Sequence, residues 1–199
     1  MQAVTKRGSR MRNTLSRQIQ AGFTLVELLI VVIILTVLAA IIVPQFSSAT
    51  IDAKEAALDA NLARVRSAVE LFQAQHNGKY PGSAATSGAT CPGGGAAGTG
   101  TAGSAQAFMD HMLMYSNADG QTCSIGDATF KYGPYLRKGI PHDSLNGKGS
   151  VVGEIVVTST GAPITPSAAT GGWAYDTKSG QMVMNSNAND TRGKPYYTH

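Results

Sequence analysis

The sequence is short of the residues that catalysis and metal binding draw on. It holds two cysteines, four histidines and one tryptophan in 199 residues, and charged residues make up only 14%. Two cysteines without a Cys-x-x-Cys pair make a poor metal site. His76, His111, His142 and His199 are scattered, and no serine, histidine and acid stand in a nucleophile motif. The glycine-rich stretch 93–103 contains no Gly-x-x-x-x-Gly-Lys-Ser/Thr, which excludes a phosphate cradle. Met109, Met112, Met114, Met182 and Met184 read as core filler, not as a cofactor box. These absences predict a protein that is not an enzyme, with no cofactor and no metal.

Acids are missing from the start of the chain. Lys6, Arg7, Arg10, Arg12 and Arg17 precede Gly22 with no acid among them, and without these five the chain has eleven basic residues against twelve acids. The basic pI therefore belongs to one end, and no nucleic-acid partner is predicted from it. Instead the basic run is a topology signal: positive flanks stay cytoplasmic, so the chain beyond residue 43 is expected outside.

What the sequence does have is one long apolar run. Residues 23–43 are 21 residues in which only Thr24, Glu27 and Thr36 are polar. As a helix this run is about 31 Å long, the thickness of a hydrocarbon core. A strand of this length would be exceptional, so a membrane helix is predicted. Glu27 is the anomaly: a charge at mid-bilayer costs about 3 kcal/mol on insertion scales, and such a residue is functional by default.

Residues 1–22 read as a basic targeting leader ending in the small residues Ala21 and Gly22, before the apolar run and not behind it. An ordinary secretory signal cut after Ala49 is the rival. Pro44 removes one helical hydrogen bond, so a kink or local melting is expected near 41–44. Beyond it Ile51, Leu58, Leu62, Val65, Val69 and Phe72 share one helix face. No glycine or proline occurs from 45 to 77, and Asn77-Gly78 supplies the stop. The expected organisation is a leader over 1–22, a helix over 23–77 (transmembrane 23–43, amphipathic 45–77) and an extracytoplasmic domain over 78–199.

Within that domain, 82–103 reads as a flexible loop and 105–116 as a short helix. Residues 151–158 read as a strand, and Trp173–Tyr175 with Met182–Met184 as a hairpin around 176–180. Residues 185–199 read as a polar tail. Helix followed by strands predicts an α+β fold, the long helix packed on a small antiparallel sheet. Cys91 and Cys123 both fall outside the cytoplasm, where a disulfide is favoured over free thiols or a metal site shared with His111.

Gly22-Phe23-Thr24-Leu25-Val26-Glu27-Leu28 behind a basic leader resembles the processing site of type IV pilins and type II secretion pseudopilins, and Pro44 falls at that family's helix-weakening proline. Glu70 to Pro81, Gly133 to Lys138, Asp143 to Gly147 and Gly171 to Gln181 resemble later pseudopilin segments. Ser144 and Leu145 replace a usual Pro-Trp, and the tail lacks the acid-rich calcium loop of major pseudopilins. The resemblance implies cleavage between Gly22 and Phe23 by a prepilin peptidase, N-methylation of Phe23, and Glu27 as an assembly contact. It implies a structural subunit of a type II secretion pseudopilus, anchored in the inner membrane with its C-terminal domain in the periplasm. The implied partners are the peptidase, copies of the chain, other pseudopilins, the inner-membrane assembly platform and the membrane. A type IV pilin for adhesion, motility or DNA uptake is the close alternative, and a signal-anchored binding protein or enzyme the distant one.

Overall fold

The computed structural model describes residues 22–199 and, within them, not the side chains of Pro44 and Ser47. The leader expected over 1–22 thus lies outside the described residues, apart from Gly22. The chain divides into two units, Met1–Gln45 and Phe46–His199.

Helix α1 spans Leu25–Gln75. In its first part the large apolar side chains from Leu25 to Val43 are 44% to 81% exposed. This part is long and apolar enough to cross a membrane. The backbone stays helical through residue 44, so the local melting expected there is absent from this state of the chain. At the other end Asn77 turns to φ 53° and Gly78 to φ 80°. The Gly78 N–H then donates to the Gln73 carbonyl at 3.0 Å, which satisfies one carbonyl of the last turn.

In the second unit the face of α1 is narrower than the spacing predicts. Leu58, Leu62, Val65, Val69 and Phe72 are at most 1% exposed, whereas Ile51 is 41% exposed. Burying each of these five contributes about 1.5–3 kcal/mol. They pack on Phe108 and Met112 of α2 (Ala105–Leu113), on Leu136 and Ile140, and on the sheet residues Trp173, Tyr175, Met182 and Met184. Helix α2 is shorter than expected, because Tyr115–Ser116 forms strand β1, antiparallel to β2 (Thr122–Cys123).

The main sheet joins β3 (Ile155–Thr158), β4 (Trp173–Asp176) and β5 (Met182–Met184) in that order. Strands β4 and β5 form the antiparallel hairpin. Strand β3 departs from the expectation: it runs parallel to β4, Ile155 opposite Trp173. A parallel neighbour needs a long crossover, and the loop 159–172 supplies it. The α+β class holds, with a mixed sheet.

Two segments expected to be loose are held by buried carboxylates. Asp110 accepts from Thr86 Oγ1 (2.6 Å), Thr99 N (3.0 Å) and Gly100 N (3.0 Å), pinning the loop 82–103 onto α2. Gly100 comes so close that a Cβ there would collide with the backbone of Ala107. Cys91 and Cys123 are joined in a disulfide that ties the same loop to β2. The segment 185–199 is likewise no free tail. Glu55 of α1 accepts from Thr191 N (2.9 Å), Thr191 Oγ1 (2.8 Å) and Tyr196 Oη (2.9 Å). Arg66 donates to the carbonyls of Met182 (2.8 Å) and His199 (2.7 Å). Polar composition hid this packing, because the tail docks through hydrogen bonds and not through an apolar stripe.

Candidate functional site

The residues singled out at the start of the chain converge on one structural device. Thr24 N–H and Thr24 Oγ1–H both donate to Glu27 Oε2, at 3.0 and 2.9 Å. The Glu27 N–H returns a bond to Thr24 Oγ1 at 3.2 Å. The Thr24 carbonyl accepts the first helical bond, from Leu28 N at 3.3 Å. This is a capping box, Thr-x-x-Glu ahead of an apolar run, which satisfies donors that a helix start otherwise leaves open. It also shows how an acid is accommodated at the head of an apolar helix: its charge meets two donors and the positive end of the helix dipole. Gly22 and Phe23 lie just outside α1, with Phe23 80% exposed. The sequence carries the signal for Thr24, since Thr24-x-x-Glu27 spells the box.

Cys91 and Cys123 lie in the second unit and are bonded to each other, so neither is open to a metal. The His111 nitrogens are both engaged. Nδ1 accepts from Gly82 N at 2.8 Å and Nε2 donates to the Gly120 carbonyl at 2.7 Å, which fixes a neutral tautomer. Burial drives its pKa down to about 4, against a smaller upward pull from Gly120. His76 is lowered for the same reason, by burial; its Nδ1 donates to the Phe72 carbonyl at 2.9 Å and its ring stacks on Phe72. Among the described residues no group of three histidines, cysteines and acids stands ready for a metal.

The buried acids serve structure. Burial pushes the Asp176 carboxyl up, but donors from Ser179, Gly161, Thr158 and Lys178 outweigh burial and hold it well below the usual carboxylate range. Glu55 and Asp190 are lowered in the same manner, burial opposing and hydrogen bonds prevailing.

Comparison with known proteins bears on the first part of the chain. Residues 17–43 match the family described as the prokaryotic N-terminal methylation motif. The chain is 47% identical over 57 residues to the type IV narrow pilus major component of Thermus thermophilus, covering 29% of this chain and 49% of that one. It is 36% identical over 67 residues to the type II secretion system core protein G of Pseudomonas aeruginosa, covering 34% and 46%. The chain thus spans about half the length of the curated relatives it matches. No solved structure matches. The N-terminal segment of the chain carries that methylation motif and is similar to both a type IV pilus component and a type II secretion core protein. Both relatives are named as components of assemblies, not as enzymes.

Proposed function

We propose that the chain is a structural subunit of a type II secretion pseudopilus, a pseudopilin. A prepilin peptidase cuts it between Gly22 and Phe23 and methylates the new amine. The mature subunit then leaves the inner membrane for a helical filament of its own copies and other pseudopilins, raised by an inner-membrane platform. The observation that carries this reading is the first part of α1, whose large apolar side chains lie exposed directly behind the processing motif. Such a helix is stable in lipid or among like helices, and in no other surroundings. The weakening at Pro44 lets the helix adjust during extraction. The Cys91–Cys123 disulfide supports an outer domain in the periplasm, with the N-terminus cytoplasmic.

In the filament Glu27 exchanges its Thr24 donors for the Phe23 amine of a neighbour. Assembly by the Glu27→Ala subunit therefore fails, because a buried unpaired charge costs about 3–5 kcal/mol. A type IV pilus is the second reading, favoured by the similarity to the Thermus pilus component. Intact mass and N-terminal sequencing of membrane-extracted protein test the processing: a chain starting at methylated Phe23 is expected, and one starting at Thr50 overturns both filament readings. Deleting the gene then separates them, since a pseudopilin loss stops protein export and a pilin loss strips surface fibres.

A further inference from the structure

We propose that the outward face of the main sheet carries a binding groove for an extended, uncharged segment of another protein, with Asn185 as the clamp on its backbone. This goes beyond the filament reading and does not depend on it, since every wall of the groove lies in the second unit. A strand sends its side chains alternately to two faces. Trp173 and Tyr175 of β4 enter the core with α1, whereas Ala174 takes the opposite face, level with Val156 of β3 and Val183 of β5. Ala174 and Val183 are at most 3% exposed, so that face is covered over β4 and β5. Over β3 it is not, and Val156 is 47% exposed. Between Val156 and the crossover 159–172 lies a cavity of about 500 Å³, lined on the crossover side by Ala162, Pro163, Ile164 and Pro166. Apolar walls in water close on each other unless something holds them apart. Here three struts fix the crossover. The Asp176 carboxylate takes the N–H groups of Thr160 (2.8 Å) and Gly161 (3.1 Å), and Gln181 Oε1 takes that of Ile164 (2.8 Å). Asn187 Nδ2 donates to the Ser167 carbonyl at 3.0 Å. The roof is preformed, with room beneath it.

The lining selects the ligand. The size falls in the range of about 300–1,000 Å³ that ligand sites occupy. No charged side chain lines this cavity, so a charged group entering it would lose its hydration without gaining a partner. No aromatic ring lines it either, which leaves a nucleobase without a stacking platform. What remains is branched apolar contact and one amide. Asn185 spends its backbone within the fold: its N–H donates to the Gly172 carbonyl and its own carbonyl accepts from the Gly171 N–H, both at 2.9 Å. Its side-chain amide borders the cavity and makes no hydrogen bond among the described residues. An amide offers a donor and an acceptor together, which is what one peptide unit of an extended chain presents in return. The shape also favours a chain over a compact molecule. A second cavity of about 370 Å³ shares Val156, Thr170 and Asn185 with the first, so the space runs on past the amide. Lys148 and Glu154 stand at that further end, one of each sign, bonded to the Thr170 carbonyl (2.9 Å) and the Gly149 N–H (2.7 Å). They add no net charge to the groove.

The test uses the full chain in lipid nanodiscs, with discs lacking the chain as the blank. The probe is the peptide acetyl-Ala-Val-Thr-Val-Ala-amide, titrated by calorimetry. Saturable binding is expected, together with slower amide exchange across 155–158 and 162–168. The same peptide with both valines replaced by glutamate, or both by lysine, is expected to bind about ten-fold or more weakly. Val156→Lys places a charge in the groove and is expected to weaken the uncharged probe by about ten-fold or more. Asn185→Ala is expected to weaken it about five-fold, the worth of a neutral hydrogen bond. Thermal midpoints at the wild-type value show that the fold stands; should either variant disturb it, Ala162→Lys, an exposed change on the opposite wall, carries the same test. No saturable heat, charged peptides bound as well as the uncharged one, or wild-type affinity in both lysine variants overturns the inference. So does maltotriose binding in place of the peptide. Undiminished affinity in Asn185→Ala overturns the clamp.

Discussion

Acidification offers the sharpest probe of how the second unit is held. His111 is fully buried, accepts from Gly82, donates to Gly120, and titrates at about 4 in the folded chain because burial penalises its cation. In the unfolded chain it titrates near 6.5. Between those values the unfolded chain binds a proton that the folded chain refuses. Stability is therefore full above pH 6.5, declines as the pH falls, and has lost the whole contribution by about pH 4. The gap of about 2.5 pH units corresponds to about 3 kcal/mol. His76 is lowered in the same direction and adds to the decline. Urea unfolding followed by Trp173, the only tryptophan and fully buried, reads the effect directly. The slope of stability against pH between 6.5 and 4 is expected to be steep in wild type and to flatten in His111→Gln, leaving the His76 share. Gln also loses packing, so the variant is weaker at neutral pH while the two curves approach each other in acid. A wild-type slope near zero in this window, or a slope unchanged in His111→Gln, refutes the reasoning.

Three further outcomes are expected. Replacing Cys91 and Cys123 by serine opens a crosslink spanning 32 positions and lowers stability by about 3–4 kcal/mol on loop-entropy grounds, read as a thermal shift that reducing agent reproduces in the wild type. Glu55→Ala leaves Thr191 N–H, the Thr191 hydroxyl and the Tyr196 hydroxyl without their acceptor, costs about 2 kcal/mol, and speeds amide exchange across 185–199 while β4 and β5 keep their protection. Gly100→Val drives a branched side chain into the Ala107 backbone and costs on the order of 3 kcal/mol, seen as a lower urea midpoint; an unchanged midpoint rejects the close approach.

How much of this was legible depended on whether a residue acts through periodicity or through a distant partner. Leu58, Leu62, Val65, Val69 and Phe72 announced the buried face because helical spacing is written locally. Trp173 to Met184 announced a hairpin for the same reason. Ile51 fitted the spacing and is exposed, because periodicity does not say where along a helix its packing partner begins. The parallel pairing of β3 was illegible, since strand direction is decided by a crossover whose path has no local pattern. Glu55 reads as one more solvent-facing acid until Thr191 and Tyr196 arrive from more than 130 residues away. At the start of the chain the box Thr24-x-x-Glu27 was fully written in sequence.

The buried carboxylates bear on how such a domain can vary. Five of them, Glu55, Asp110, Asp143, Asp176 and Asp190, are sealed inside the second unit. Asp110 fastens the loop 82–103, Asp143 joins the turn at 145–146 to Gly172, and Asp176 gathers 158–161 with 178–179. Each irregular segment thus has its own anchor and takes its shape from that anchor more than from the neighbouring loop. A segment between two such points can lengthen, shorten or exchange its surface residues without disturbing the rest, provided the carboxylate and its few donors remain. The outer loops of this unit can therefore be redrawn one at a time, while the buried face of α1 stays as it is.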